Sequence, residues 1–113
     1  MERDGKAVAT TLTGDPVLLR FRRALGEMYG DRLDRVVLFG SRARGNAHAE
    51  SDYDVAVFLK DMPDRWAEMK RLARLNIQFL DDDAFFDAKP YLATAYAERT
   101  PLMGEIRREG IDL

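Results

Sequence analysis

The 113-residue sequence contains no cysteine, one histidine and one tryptophan. Without thiols it has neither a disulfide framework nor a thiolate metal site. His48 has no second histidine or cysteine at ligand spacing, so it is read as a solvent-exposed side chain rather than a metal ligand. No apolar run approaches the roughly 20 residues that span a bilayer, and Met1–Lys6 lacks the apolar segment of a secretory signal. The expectation is a soluble chain in a reducing cytoplasm, with no membrane partner. A strong charge of one sign is missing as well. The net charge is −2, with nine basic and six acidic residues before position 46 against nine and fourteen after it. So mild an asymmetry gives no nucleic-acid footprint, and no direct nucleic-acid binding is expected. The length suits one domain with a single core.

Several stretches carry start and stop signals. Asp15-Pro16 is an N-cap followed by a first-turn proline. Val17, Phe21, Ala24, Leu25 and Met28 follow at helical spacing before Gly30, with Arg20, Arg23 and Glu27 on the opposite face. Residues 1–14 show no sustained period and read as a flexible arm ahead of a domain over residues 15–113. Asp31 to Asp34 reads as a polar link. A second helix is predicted from about Asp64 to Leu80, with Trp66, Met69, Ala73, Ile77 and Leu80 as its core-facing stripe. Asp81-Asp82-Asp83 then reads as a solvated turn. Ala84–Tyr91 reads as a strand ended by Pro90, with Phe85, Asp87 and Lys89 on one face. Thr100-Pro101 opens a last helix carrying Leu102 and Ile106 toward Gly110. Whether that tail docks on the sheet or serves a partner stays open.

The informative stretch is Val36–Phe39, four apolar residues running into Gly40-Ser41, followed after a polar loop by Ser51-Asp52-Tyr53-Asp54 and the apolar Val55–Leu59. A strand ending in a Gly-Ser turn presents backbone N–H groups to an anion, and a nucleotide phosphate is the natural guest. Residues 41–44 read as a short helix aimed at those phosphates, and a residue larger than glycine at 40 is expected to block their approach with little loss of thermal stability. Arg42 is a candidate phosphate contact, with Arg44 behind it. Asp52 and Asp54 lie two apart, so in a strand they leave one face while Tyr53 leaves the other. Paired carboxylates repel unless a cation joins them, and a hard ion such as Mg²⁺ suits oxygen ligands.

Gly40-Ser41, ten intervening residues, then Asp52-Tyr53-Asp54 resembles the signature of the polymerase-beta-like nucleotidyltransferases. Gly40–Gly45 with Ser51–Asp54 is most similar to the minimal nucleotidyltransferase (MNT) antitoxins. The alternation helix, strand, turn, strand, helix, strand suggests an α/β (α+β) domain with a small mixed sheet, helices covering one face and the catalytic face open, and the resemblance implies the polymerase-beta-like nucleotidyltransferase fold. It implies that Gly40 and Ser41 hold the phosphates of ATP. It also implies that Asp52, Asp54 and a third carboxylate bind Mg²⁺, in two ions. The third acid belongs on the strand after the second helix, where Asp87 is the candidate and Asp83 the reserve. The implied activity is transfer of AMP to a tyrosine hydroxyl of a HEPN-type RNase toxin. The alternatives are a non-catalytic antitoxin acting by occlusion and transfer to a small hydroxylated molecule. The chain left after the catalytic strands is too short to enclose a small substrate, which favours an acceptor presented by another protein.

Overall fold

In the computed structural model, residues 15–45, 52–82 and 84–113 are described. The N-terminal arm, His48, Ser51 and Asp83 lie outside the described residues. Asp15 caps the first helix, α1 (Pro16–Tyr29), its carboxylate accepting from the Val17 and Leu18 amides at 3.1 Å each. Leu18, Phe21, Leu25 and Tyr29 form its buried stripe, and Gly30 ends it as expected. A 3₁₀ turn, Gly30–Arg32, leads into β1 (Leu33–Phe39), which begins earlier than its apolar run. The segment read as a polar link is thus part turn and part strand, with an irregular register between Leu33 and Arg35. After the one-turn helix α2 (Ser41–Arg44) come β2 (Tyr53–Leu59), α3 (Arg65–Gln78), a 3₁₀ turn (Phe79–Asp82) and β3 (Phe86–Leu92). A further 3₁₀ turn (Ala93–Ala97), α4 (Pro101–Glu109) and β4 (Ile111–Asp112) complete the order.

Among the described residues the strands form one mixed sheet in the order β3-β2-β1-β4. β1 pairs antiparallel with β2 and β4, while β2 and β3 run parallel. β2 is inside the sheet and buried along most of its length, so its residues alternate between two cores. Tyr53, Val55, Val57 and Leu59 face α1 and α3, whereas Ala56 and Phe58 face Met103 and Ile106 of α4. Tyr53 is locked on the first side. Its ring stacks on Phe86 at 4.5 Å and its hydroxyl donates to Asp15 at 2.6 Å. Burial and then that bond push the phenol up to about 12.

Three expectations need correction. The stripe on α3 is inverted: Trp66 and Ile77 are 65% and 64% exposed, Leu80 is exposed too, and Glu68, Leu72 and Leu75 are the buried residues. Both faces of this helix carry apolar residues. Counting Glu68 as a solvent-seeking residue selects the wrong one, because the fold supplies it with Arg32 at 2.8 Å. Next, Pro90 does not end β3. The Tyr53 amide donates to the Phe85 carbonyl, and alternation along a parallel ladder then points residue 90 away from β2, where a missing N–H breaks no bond. The outward Pro90 carbonyl accepts from Arg65 at 3.2 Å, which blunts this edge. Finally, the catalytic face is only partly open. The C-terminal helix docks on it through Met103 and Ile106, and β4, unmarked in the sequence, zips onto Val37 and Leu38.

Candidate active site

The alternation that sends Tyr53 into the core turns Asp54 to the α4 face, at the end of the sheet that α4 leaves uncovered. Parallel pairing puts Asp54 level with Asp87, and antiparallel pairing puts it level with Phe39 at the end of β1. The phosphate turn and two of the three candidate carboxylates thereby reach one place. Gly40, Ser41, Arg44, Asp54, Asp87 and Lys89 line a single cleft of about 530 Å³, closed on the helical side by Leu102 and Glu105.

Gly40 is fixed by two constraints. It has φ +79°, which side chains other than hydrogen tolerate poorly, and a Cβ there would overlap the Asp54 carboxylate. The space a larger residue would take is thus occupied by Asp54 as well as by any phosphate. The Ala43 and Arg44 amides both close on the Gly40 carbonyl at 3.1 Å, which sets the turn and leaves Ser41 on the cleft wall.

The Asp54 carboxylate is electrostatically strained. Burial raises the Asp54 carboxyl, and the charges of Asp87 and Asp52 raise it further; Lys89 partly offsets them. Lys89 Nζ lies 3.1 Å from Asp87 Oδ2 and is held in its charged form by that bond. Asp52 is exposed, and its charge is felt at Asp54. Among the described residues no group of three acidic, histidine or cysteine side chains converges closely enough to hold a metal ion by itself. The donor chemistry nonetheless fits a hard divalent cation of the kind bound by one or two carboxylates and completed by phosphate oxygens. It consists of oxygen ligands only, with a net negative charge that repels itself.

Arg42 does not line this cleft. Its guanidinium lies 4.0 Å above the Tyr53 ring, whereas Arg44, the lesser candidate in the sequence, does line it. Arg44 is held by Glu105 at 3.6 Å and Glu109 at 3.4 Å, tying the phosphate turn to α4. Lys89 was legible as a neighbour of Asp87 on one strand face, since two residues apart means the same side. Glu105, Leu102 and Tyr91 carried no signal, because their place in the cleft depends on how α4 folds back.

The family model of the nucleotidyltransferase domain matches residues 18–99, which takes in the turn and all three aspartates. The chain belongs to the nucleotidyltransferase domain family. It is accordingly an enzyme of nucleotidyl transfer, with the mixed sheet and flanking helices that its signature implied. Two proteins of Methanocaldococcus jannaschii, Putative protein adenylyltransferases MJ0141 and MJ1305, are its relatives. The first is 30% identical over 97 residues, covering 86% of this chain and 95% of that protein. The second is 36% identical over 58 residues, covering 51% and 40%. A crystal structure of a toxin–antitoxin with AMP-PNP is similar at a TM-score of 0.55 and 25% identity, over 82% of this chain and 69% of that one. A mutant of the toxin–antitoxin MntA-HpeT gives 0.56 and 25%, over 80% and 66%. Among the described residues no helix is long and apolar enough to cross a membrane.

Proposed function

We propose that this nucleotidyltransferase moves AMP from ATP onto a tyrosine hydroxyl of a HEPN-type toxin and thereby silences it. The observation that carries the reading is the joint opening of the Gly40-Ser41 turn and the level Asp54–Asp87 pair into one cleft. The similarity to proteins named for adenylyl transfer to protein, and to a toxin–antitoxin crystallised with an ATP analogue, supports the nucleotide and the partner.

In this reading the triphosphate lies against the turn, with Gly40 giving close approach and Ser41 offering its hydroxyl. Asp52, Asp54 and Asp87 would hold magnesium, two ions by the family resemblance. Bound there, the metal supplies neutralisation of the α-phosphate and pyrophosphate charge and eases ionisation of the acceptor. The phenol oxygen attacks the α-phosphorus, the bond to the bridging oxygen breaks, and pyrophosphate leaves. The phenolic proton, with a free pKa of about 10, passes to a cleft carboxylate or water. Arg44 and Lys89 line the same wall and are placed to meet phosphate oxygens once they leave Glu105 and Asp87. The site operates in the cytoplasm, without contact to nucleic acid.

The test is intact-mass analysis of a purified HEPN-type partner incubated with the protein, ATP and Mg²⁺. One or more AMP units on a partner tyrosine are expected, and none with Asp54→Asn. A partner that binds tightly but stays unmodified would overturn the reading in favour of occlusion. Transfer only to small hydroxylated molecules would move the acceptor out of the protein class.

A further inference from the structure

Behind the cleft, on the core face of the sheet, four side chains form one column. The Phe21 and Phe86 rings lie 3.8 Å apart and nearly parallel, at 4°, and Phe86 lies 4.5 Å from Tyr53 at 12°. The Arg42 guanidinium carbon is 4.0 Å from the centre of the Tyr53 ring. Neighbours this close cannot share one face of a ring, so the order is Phe21, Phe86, Tyr53, Arg42. The column therefore runs from α1 through β3 and β2 to α2, the helix of the phosphate turn. Its three rings are buried, and the Tyr53 hydroxyl is tied to the cap of α1, Asp15, at 2.6 Å.

The place of the column gives it a bearing on the chemistry. Tyr53 and Phe86 are the first residues of β2 and β3 and are partners across the ladder; Asp54 and Asp87 are the next rung. Alternation puts the rings on one face and the carboxylates on the other. On the cleft side the two acids repel, the charge of Asp87 adding to burial in raising the Asp54 carboxyl. On the core side, one residue away, two stacked rings attract and oppose that repulsion at the strand starts. The phosphate turn is likewise held at two points. Gly40 packs on the Asp54 carboxylate so closely that a Cβ would overlap it, and Arg42, two residues on, lies over Tyr53 on the other side of the sheet. The two halves of the site are thus joined from behind.

We propose that Arg42 and Tyr53 are positioning residues for nucleotidyl transfer: the column they complete keeps the Gly40-Ser41 turn and the Asp54–Asp87 pair in register for a divalent cation and the phosphates it bridges, while touching neither. This rests on the metal and ATP site of the proposed function. The test is Mn²⁺ binding to the nucleotide-free full chain, followed by electron paramagnetic resonance, with ATP binding and transfer measured alongside and well below each melt. Tyr53→Leu removes the ring and should weaken Mn²⁺ binding about 10–100-fold, as loss of a support behind metal ligands does. Tyr53→Phe keeps the ring, gives up only the bond to Asp15, and should restore most of that loss. Arg42→Met should weaken Mn²⁺ and ATP together. Arg42→Lys, which keeps the charge but not the guanidinium plane, should restore little of either. Arg42→Met added to Tyr53→Leu should cost nothing further, because its ring is already gone.

A loss of ATP affinity in Arg42→Met that Arg42→Lys repairs, with Mn²⁺ binding unchanged, would make Arg42 a phosphate contact and overturn the proposal. So would wild-type Mn²⁺ affinity in Tyr53→Leu, a loss in Tyr53→Phe as deep as in Tyr53→Leu, or single losses that simply add in the double variant. Arg42 is only half-buried, so its variants decide the matter should Tyr53→Leu not fold. If Asp54→Asn loses Mn²⁺ while the Arg42 and Tyr53 variants keep it, the positioning role falls and the metal site stands. If Asp54→Asn binds Mn²⁺ as wild type does, both fall.

Discussion

Replacing Gly40 by alanine separates what the turn does for the fold from what it does for the chemistry. The backbone there, φ +79° and ψ −158°, lies in a region nearly reserved for glycine, so any side chain costs about 1–3 kcal/mol of stability. For a domain of this size that is about 4–8 °C of melting temperature per kcal/mol. The expectation that a larger residue at 40 leaves thermal stability almost untouched therefore gives way to a measurable loss. The added Cβ also overlaps the Asp54 carboxylate, which must rotate or withdraw. A displacement of about 1 Å in a reacting group lowers rate about 100-fold. Gly45→Ala is the control. Gly45 has φ +81° in the left-handed region with nothing among the described residues within 4 Å of an added Cβ, so it carries the backbone cost, about 1–2 kcal/mol, without a collision with Asp54. Thermal melts of both variants, with transfer from labelled ATP measured well below the melt, should show two destabilised proteins of which only Gly40→Ala is slow. Equal activity in the two would refute the claim that Gly40 is reserved for Asp54. An unshifted melt for both would refute the strain argument.

Asp54→Asn should abolish transfer yet raise the melting temperature at neutral pH. Burial and the charges of Asp87 and Asp52 raise the folded carboxyl above its unfolded value, so its contribution is complete below the unfolded pKa of about 4 and is lost as pH rises through the raised folded value. The gain from the amide should accordingly fade as pH falls below about 4, and a gain independent of pH would count against the assignment. Lys89→Met removes the cation held 3.1 Å from Asp87. Being an exposed pair, it should alter stability by less than about 1 kcal/mol. Calorimetry should show tighter Mn²⁺ binding to the nucleotide-free protein and weaker ATP binding; loss of metal affinity would mean that Lys89 organises the acids rather than competes for them. Arg32→Ala removes the 2.8 Å ion pair of Glu68, which is buried at 4% exposure, and leaves Arg71 at 3.7 Å as its remaining cation among the described residues. Denaturant unfolding should register a loss of about 3 kcal/mol, and a change below about 1 kcal/mol would show that water reaches Glu68.

The sequence alone determined the chemical core of this protein, because its signals are local. An Asp-Pro start, a Gly stop, a Gly-Ser turn after an apolar run and an Asp-Tyr-Asp alternation act within a few residues of one another. Period-two geometry separates Tyr53 from Asp54 whatever the rest of the chain does. Tertiary structure decided what depended on distant partners. Glu68 could be buried only because Arg32 reaches it from the turn before β1. With Leu72 and Leu75 packed in the core beside it, Glu68 lies on the inner face of α3 and Trp66 faces outward. Pro90 remains inside β3 because the ladder points it away from β2 and Arg65 caps its carbonyl. Asp87 lies level with Asp54 through a parallel pairing that joins segments more than 30 residues apart. Glu105 and Leu102 enter the cleft only because α4 packs its Met103 and Ile106 on Val37, Ala56 and Phe58. Side-chain pairs of this kind are set by the free energy of burying several segments together, and no window of residues contains that sum.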